Sequence, residues 1–265
     1  MKQTNTLLAL DIETIQDPNV LGDWDAGKWP PPIGWQVVVI GMVEANIDVD
    51  HGSEAFNITQ VRSGAGDEAA LLQTFWSYFE QKPPRVVTWN GRRFDLSVLQ
   101  HRSFMHGVPM PAWFRSGSKW SSYKQRFADD WHCDLMDVMS SYGASTPASL
   151  DMMASSLGLP GKIGGHGSEV QDMFDAGDID RIRAYCEGDV LNLYGLYVRW
   201  RYVTGEMSRE AHDAAFGNLA DTLGAGSSEK PHFGDFLKSW HPTSLDIGSN
   251  NASKAGTLVM ETANE

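Results

Sequence analysis

The chain has 265 residues, 42% of them hydrophobic and 11% aromatic, which is enough to bury a core and excludes wholesale disorder. No apolar run approaches the roughly 20 residues that cross a bilayer, and two cysteines cannot build a disulfide framework, so we expect a soluble, cytoplasmic protein without a membrane partner. The formal net charge of −13 argues against a polyanionic partner, because nucleic acids are normally bound by an excess of Lys and Arg.

Strand patterns occupy the first third of the chain. Short runs rich in branched and aromatic residues predict strands at 7–15, 35–45, 53–62 and 85–89. Apolar residues at steps of three and four predict helices at 66–82 and 94–107. The following stretch, 108–131, has no periodicity and is rich in Gly, Pro, Ser and aromatic residues, which predicts a long loop.

Helical patterns dominate the second half of the chain, at 135–142, 147–157, 169–176, 179–203 and 211–223. Strands followed by helices predict an α/β layered fold. The composition changes after Met207, and residues 224–265 are so poor in large apolar side chains that we expect a flexible tail. The predicted division is one domain of residues 1–207 and an extension of residues 208–265.

Two acidic residues interrupt the first predicted strand. Asp11 and Glu13 are two positions apart in an otherwise apolar run, so a strand would point both carboxylates to the same face of the sheet. Burying an unpaired carboxylate costs several kcal/mol, so such a pair indicates either bound cations or a shift of the carboxylates toward protonation. Capping of a turn by Asp11 at the end of the strand explains this pair equally well.

The fourth predicted strand runs into Asn90-Gly91 and then into a helix whose first turn contains Asp95. An acid is favourable at any helix N-terminus. Ligands of open α/β sheets, however, collect at the carboxyl ends of strands, where Asp11, Glu13 and Asn90 are all expected.

The long predicted helix at 179–203 carries an acid on its apolar face. Tyr185, Cys186 and Asp189 follow the spacing of the apolar positions, so Asp189 faces inward where a purely structural helix would place Leu. Gly188 lowers the helix propensity, and we expect it to let another backbone or a ligand approach.

Three separate segments therefore direct four carboxylates toward one point. Hard oxygen ligands without His or Cys suit Mg²⁺ or Mn²⁺. A pair of such ions activates water for attack on a phosphodiester and stabilises the departing oxygen. The pattern predicts a phosphoryl-transfer site with two metal ions.

These segments resemble a known family in their order and spacing over residues 5–205. The three motifs of the DEDDy 3′-5′ exonucleases, which belong to the ribonuclease H-like (DnaQ-like) superfamily, are matched by Asp11-Ile12-Glu13, Asn90 with Phe94-Asp95, and Tyr185 with Asp189. Within this group the chain is most similar to the predicted exonucleases related to the proofreading domain of family B DNA polymerases. The resemblance implies a ribonuclease H-like mixed sheet flanked by helices, with a helical C-terminal half.

The resemblance also assigns roles. The metal ligands would be Asp11, Glu13, Asp95 and Asp189, and Tyr185 would orient the attacking water. Asn90 would touch the terminal nucleotide, and its neighbours are further candidates for nucleic-acid binding: Trp89, Arg92, Arg93 and Phe94.

The implied reaction is hydrolysis of single-stranded or frayed DNA from its 3′ end, one nucleotide at a time, with two Mg²⁺ or Mn²⁺ ions. The alternatives are the same chemistry on RNA and a non-catalytic nucleic-acid-binding module, which is disfavoured because inward acids repel phosphate. No polymerase module follows the third motif, so cooperation with a polymerase or repair protein would occur in trans.

A competing third motif is present at His132 and Asp137, which have the spacing used by related enzymes with a histidine base. No long helix lies behind this pair, and it follows Asp95 by only about 40 residues. We therefore favour Tyr185 and Asp189.

The net charge hides a local reversal. Residues 85–126 contain eight basic residues and one acid, which predicts a cationic surface unless these charges are scattered. Within this stretch, Lys119, Lys124 and Arg126 alternate with aromatic residues, a composition that single-stranded nucleic-acid grooves use. Burial of the same aromatic residues in the core is an equally good interpretation.

Overall fold

The computed structural model describes residues 4–25, 27–162 and 167–241. A five-stranded sheet has the order β3-β2-β1-β4-β5, in which β1 is antiparallel to β2 and parallel to β4. The strands are β1 (Thr6–Gln16), β2 (Trp35–Asp50), β3 (Ser53–Ala65), β4 (Arg85–Thr88) and β5 (His132–Asp134). This mixed sheet with helices on both faces confirms the predicted fold class.

Helices cover the two faces of the sheet. In chain order they are α1 (Pro18–Leu21), α2 (Glu68–Gln81), α3 (Asp95–His106), α4 (Pro111–Arg115), α5 (Leu135–Met139), α6 (Leu150–Ser156), α7 (Val170–Asp175), α8 (Ile179–Val203), α9 (Arg209–Gly226) and α10 (Pro231–Ser239). Short 3-10 turns lie at Pro32–Gly34 and Gly167–Glu169.

The side chains of β1 alternate between two apolar layers, as the pleat of a strand requires. Leu7 and Ala9 belong to a layer with α8 and α9, whereas Leu8 and Leu10 belong to a layer with α2 and α3. Because both faces are covered, β1 is buried along most of its length. Asp11 and Glu13 continue the face that α8 covers.

The bounds of α8 agree with the predicted helix at 179–203, and the strands other than β5 lie where alternation and β-branched content placed them. Three short elements were not predicted. The strand β5 has only three residues, α1 has four and α4 has five, so none of them is long enough to show a period.

The prediction of a flexible tail from residue 224 is wrong for the part of it that the structure describes. The helix α10 packs on α9 and buries Phe233, Phe236 and Trp240 in the main apolar layer. Few large apolar residues are present, but they lie at helical spacing, which an average over the whole segment hides. Residues 242–265 lie outside the described residues, and the domain division at residue 207 stays a prediction.

None of the helices in the described part of the chain is long and apolar enough to cross a membrane.

Candidate active site

The carboxylates of three segments meet at the carboxyl ends of β1 and β4. Asp95, the first residue of α3, accepts a hydrogen bond from the backbone N–H of Ile12 at 3.2 Å, and its carboxyl group contacts that of Asp11. Asp189 acts electrostatically on both Asp11 and Glu13 from α8. The structure therefore brings together the four acids that the sequence predicted to converge.

Glu13 lies beside an irregularity of the sheet. Glu13 pairs with Val39 and Thr14 pairs with Val37, so Val38 is an extra residue on β2. A β-bulge of this kind bends the strand locally and re-aims side chains. The side chain of Glu13 is 6% exposed, and no hydrogen bond from a described residue reaches its carboxylate.

The turn between β4 and α3 is held by an acid that the sequence analysis did not identify. Asp134, at the end of β5, accepts hydrogen bonds from the backbone N–H groups of Asn90 and Arg92, both at 2.9 Å. Asn90 has a left-handed backbone (φ 67°), and a Cβ on Gly91 would lie 2.4 Å from Thr88. Asp134 thus fixes the turn that places Asp95.

The helix α8 supplies Tyr185 and Asp189 on one face, as its spacing predicted. The Tyr185 hydroxyl interacts with the Asp189 carboxylate, and both side chains are buried. No described backbone uses the space at Gly188, because a Cβ there would meet no described atom of another element within 4 Å. The approach of a ligand to Gly188 stays a prediction.

Crowding of the acids changes their protonation. Burial, followed by repulsion from Asp95, Glu13 and Asp189, raises the pKa of Asp11 well above its usual range. Burial likewise raises the pKa of Asp95 to about 7 and that of Asp189 to about 6. The Lys162 ammonium opposes this effect at Glu13 and Asp189. Sequence inspection missed Lys162, which belongs to no motif.

The donor set fits a divalent cation. Carboxylates that share one buried site and raise each other's pKa take up either protons or a metal, and carboxylate oxygens are hard ligands. The Glu13 carboxylate has no competing donor among the described residues. Asp11, Glu13, Asp95 and Asp189 are the residues that would hold such ions.

An open cleft of about 970 Å³ lies beside Glu13 and has an aromatic wall. Trp29 and Trp35 have ring centroids 4.8 Å apart, and Phe94 lies 5.8 Å from Trp35. Trp29 is 74% exposed, although it is one of the largest apolar side chains. Neither tryptophan was a sequence candidate, because Trp29 lies in a Pro-rich segment that shows no motif and Trp35 is the first residue of β2.

The candidates for nucleic-acid binding near the second motif divide into two groups. Asn90, Arg93 and Phe94 line the aromatic cleft together with Glu13. Trp89 instead packs against the apolar layer, and the Arg92 guanidinium donates to the backbone carbonyls of Gln125 and His132. Arg92 is therefore occupied in holding the 108–131 segment.

The other three basic candidates lie outside the aromatic cleft. Arg126 forms an ion pair with Asp137 and lines a second cleft, of about 420 Å³, that also contacts Asn90 and Arg93. Lys119 lies over the ring of Trp120, and neither Lys119 nor Lys124 lines either cleft.

The predicted cationic surface is wrong for two of its eight members. Arg85 is paired with Glu54 at 2.8 Å, and Arg102 is paired with Glu68; both arginines are buried. Adjacent charges in sequence point in different directions because residues 85–126 pass through a strand, a helix and the core.

The aromatic residues of the loop are likewise divided. Trp113 and Tyr123 stack in the core with centroids 5.0 Å apart, whereas Trp120 and Phe127 are 80% and 70% exposed. Burial in the core therefore holds for Trp113 and Tyr123, whereas nucleic-acid binding by the exposed part of the loop stays a prediction.

His132 lies in the interior and not at the carboxylate cluster. Its side chain is 0% exposed, its Nε2 lies 2.8 Å from the Thr88 hydroxyl, and burial lowers the pKa of its imidazole well below the usual range. Asp137 is engaged by Arg126. This geometry supports the choice of Tyr185 and Asp189 over His132 and Asp137.

Comparison with solved structures finds exonuclease I. E. coli exonuclease I in complex with a dA16 oligonucleotide matches with 16% identity and a TM-score of 0.37, over 72% of this chain and 44% of that chain. Exonuclease I in complex with the inhibitor BCBP matches with 14% identity and a TM-score of 0.41, over 84% and 46%. The chain thus spans less than half of these proteins. No curated protein sequence matches significantly.

A family of sequences matches over most of the chain. The match covers residues 31–240, which include Asp95, Tyr185 and Asp189 and begin after β1. The chain therefore belongs to the family described as predicted 3′-5′ exonucleases related to the exonuclease domain of PolB.

Proposed function

We propose that this exonuclease hydrolyses phosphodiester bonds at the 3′ end of single-stranded or frayed DNA and releases nucleoside monophosphates. The observation that carries the proposal is the convergence of Asp11, Glu13, Asp95 and Asp189 beside a cleft with an aromatic wall. Two Mg²⁺ or Mn²⁺ ions are the proposed cofactors, because all four ligands are hard oxygens.

When bound, the ions would lower the pKa of a water molecule and neutralise charge that develops on the phosphate. The protein contributes the positions of the ligands. Asp95 is held by the Ile12 N–H and by the turn that Asp134 braces, so its carboxylate needs little rearrangement. Burial and the nearby acids raise the pKa of Tyr185, so the phenol keeps its proton and can orient water by hydrogen bonding.

The aromatic wall supports an unpaired substrate end. Bases stack on exposed aromatic rings with about 1–3 kcal/mol per base and without sequence preference. A base in a duplex is already stacked and paired, so Trp29 and Phe94 would receive an end that is single-stranded or frayed. Arg93 and Asn90, at the same cleft, are the proposed contacts to the terminal nucleotide.

The test uses oligonucleotides of DNA and RNA labelled at the 3′ or the 5′ end, with Mg²⁺, with Mn²⁺ and with EDTA. We expect release of mononucleotides from 3′-labelled single-stranded DNA only when metal is present. Asp11→Asn should lose at least 10³-fold in rate, because it removes one negative charge from the metal ligands. Asp221→Asn, an exposed acid on α9, is the control.

Each outcome decides one part of the proposal. Faster release from RNA would replace DNA by RNA as the substrate. An Asp11→Asn variant that degrades DNA at the parental rate would show that the carboxylate cluster is not the catalytic site. Binding of oligonucleotides without any hydrolysis would favour a nucleic-acid-binding module.

A further inference from the structure

A buried thiol lies inside the carboxylate cluster. The Sγ of Cys186 is 3.6 Å from Oδ2 of Asp11, and candidate ligand atoms of Asp11, Glu13 and Cys186 all lie within 4.8 Å of one another. A site for hard divalent ions does not require a sulfur ligand, since thiolates select soft and borderline cations. The thiol therefore adds a second binding preference to the same site.

The distances suit one thiophilic ion. In a tetrahedral zinc site, with Zn–S of about 2.3 Å and Zn–O of about 2.0 Å, the sulfur and oxygen ligands are roughly 3.5 Å apart. The distance of 3.6 Å between Sγ of Cys186 and Oδ2 of Asp11 agrees with this separation of ligand atoms. Glu13, 6% exposed and without a hydrogen bond from a described residue, is free to serve as the third ligand.

The helix–sheet contact keeps the thiol in place. Gly41 lies opposite Asp11 in β2, and the absence of a side chain there lets Cys186 approach the sheet. The only hydrogen bonds of the thiol among the described residues go to the backbone carbonyl and the carboxylate of Asp11. Ligation would therefore replace one contact of the thiol with Asp11 by another and would break no other described hydrogen bond of the thiol.

We propose that Asp11, Glu13 and Cys186 form a site for a thiophilic divalent cation, Zn²⁺ or Cd²⁺, which excludes the hard ions from the same carboxylates. Binding forms a metal–sulfur bond and releases the thiol proton to solvent. Exclusion of Mg²⁺ or Mn²⁺ rests on the proposed function, whereas ligation by sulfur does not.

The first experiment titrates the metal-free full chain with Cd²⁺ and records the ultraviolet charge-transfer band of a cadmium thiolate. The wild type and Cys133→Ala should show the band with one equivalent of Cd²⁺. Cys186→Ala should lack it and should bind Cd²⁺ at least tenfold more weakly. Cys133 is the matched control, because it is also a buried free cysteine but lies in the apolar core around β5. A band that persists in Cys186→Ala would overturn the proposal.

A second experiment needs no variant and covers the case in which Cys186→Ala fails to fold. X-ray absorption of the wild type with one equivalent of Zn²⁺ should show one sulfur at about 2.3 Å. A shell of nitrogen and oxygen ligands alone would contradict the proposal. If sulfur ligation is found but Asp11→Asn retains full nuclease activity, the proposed function fails while this site stands.

Discussion

Gly41 of β2 lies directly against Cys186 of α8. A Cβ at position 41 would be 2.6 Å from the Cys186 Sγ and 3.3 Å from its backbone carbonyl oxygen, although the strand itself could accept a side chain. Gly41 is also paired with Asp11 across the β1–β2 ladder. The missing side chain thus sets how closely the helix with Asp189 approaches the strand with Asp11.

Gly41→Ala should therefore damage both stability and the metal site. Overpacking of a well-packed contact costs about 1–3 kcal/mol, and displacement of α8 would separate Asp189 from Asp11. Denaturant unfolding and calorimetric titration with Mn²⁺ measure the two effects. Gly217→Ala on α9 is the control, since a Cβ there meets no described atom within 4 Å and Ala favours helix. Equal stability and Mn²⁺ affinity of the two variants would refute the spacing role.

The sequence was sufficient to predict those site residues whose chemistry conflicts with their surroundings. Asp11, Glu13 and Asp189 stand in apolar strand and helix patterns, and an acid at such a position is evident from the period alone. The rule that ligands collect at strand ends gives the meeting point of Asp11 and Glu13, and Asp189 reaches it from the inward face of α8.

Residues that act through position, and not through an unusual residue type, could not be predicted. Gly41 matters because of a helix 145 residues further along the chain. Trp29 and Asp134 have ordinary surroundings in sequence, and only the tertiary contacts place them at the cleft and beneath the turn. Arg85 and Arg102 were wrongly expected on a cationic surface for the same reason, since adjacency in sequence does not fix the direction of a side chain.

The stability of the metal-free protein should depend on pH through the carboxylate cluster. Burial raises the pKa of Asp189 from 3.8 to about 6, so the folded protein keeps this proton to a higher pH than the unfolded chain does. The free energy of unfolding therefore falls as pH rises from about 4 through about 6.

The isosteric Asp189→Asn variant isolates this contribution. In EDTA its melting temperature should equal that of the wild type near pH 4 and exceed it near pH 8. Saturating Mg²⁺ should remove this difference in melting temperature, because it stabilises the wild type alone. Scanning calorimetry across this range provides the comparison. A variant that is less stable than the metal-free wild type at pH 8 would show that burial of the ionised Asp189 carboxylate has no net cost.

Trp29→Ala should weaken binding of single-stranded DNA. Loss of a ring that contributes about 1–3 kcal/mol of stacking corresponds to a rise in KM of about fivefold to about 150-fold. The melting temperature should not change, because Trp29 is 74% exposed. Steady-state kinetics on an unpaired oligonucleotide measures KM. Trp120→Ala is the matched control, since Trp120 is 80% exposed but does not line the cleft. The aromatic wall has no such role if both variants keep the parental KM.

Tyr185→Phe should lower kcat by about 10²-fold, the usual cost of losing one group that positions or handles a proton. The affinity for Mn²⁺ should change little, because the phenol is not a proposed ligand. Tyr194→Phe on the same helix is the control: its hydroxyl is buried and has no hydrogen-bond partner among the described residues.

His132→Ala separates a structural role from a catalytic one. The imidazole is buried against Thr88, so its removal should cost about 1–3 kcal/mol of stability and leave kcat near the parental value in the folded fraction. Circular dichroism measures the folded fraction. The three variants Tyr185→Phe, Tyr194→Phe and His132→Ala are compared in one assay at saturating metal and DNA. If folded His132→Ala is inactive while Tyr185→Phe turns over normally, the histidine and not the tyrosine acts on the water, and the cluster around Asp189 loses its proposed role.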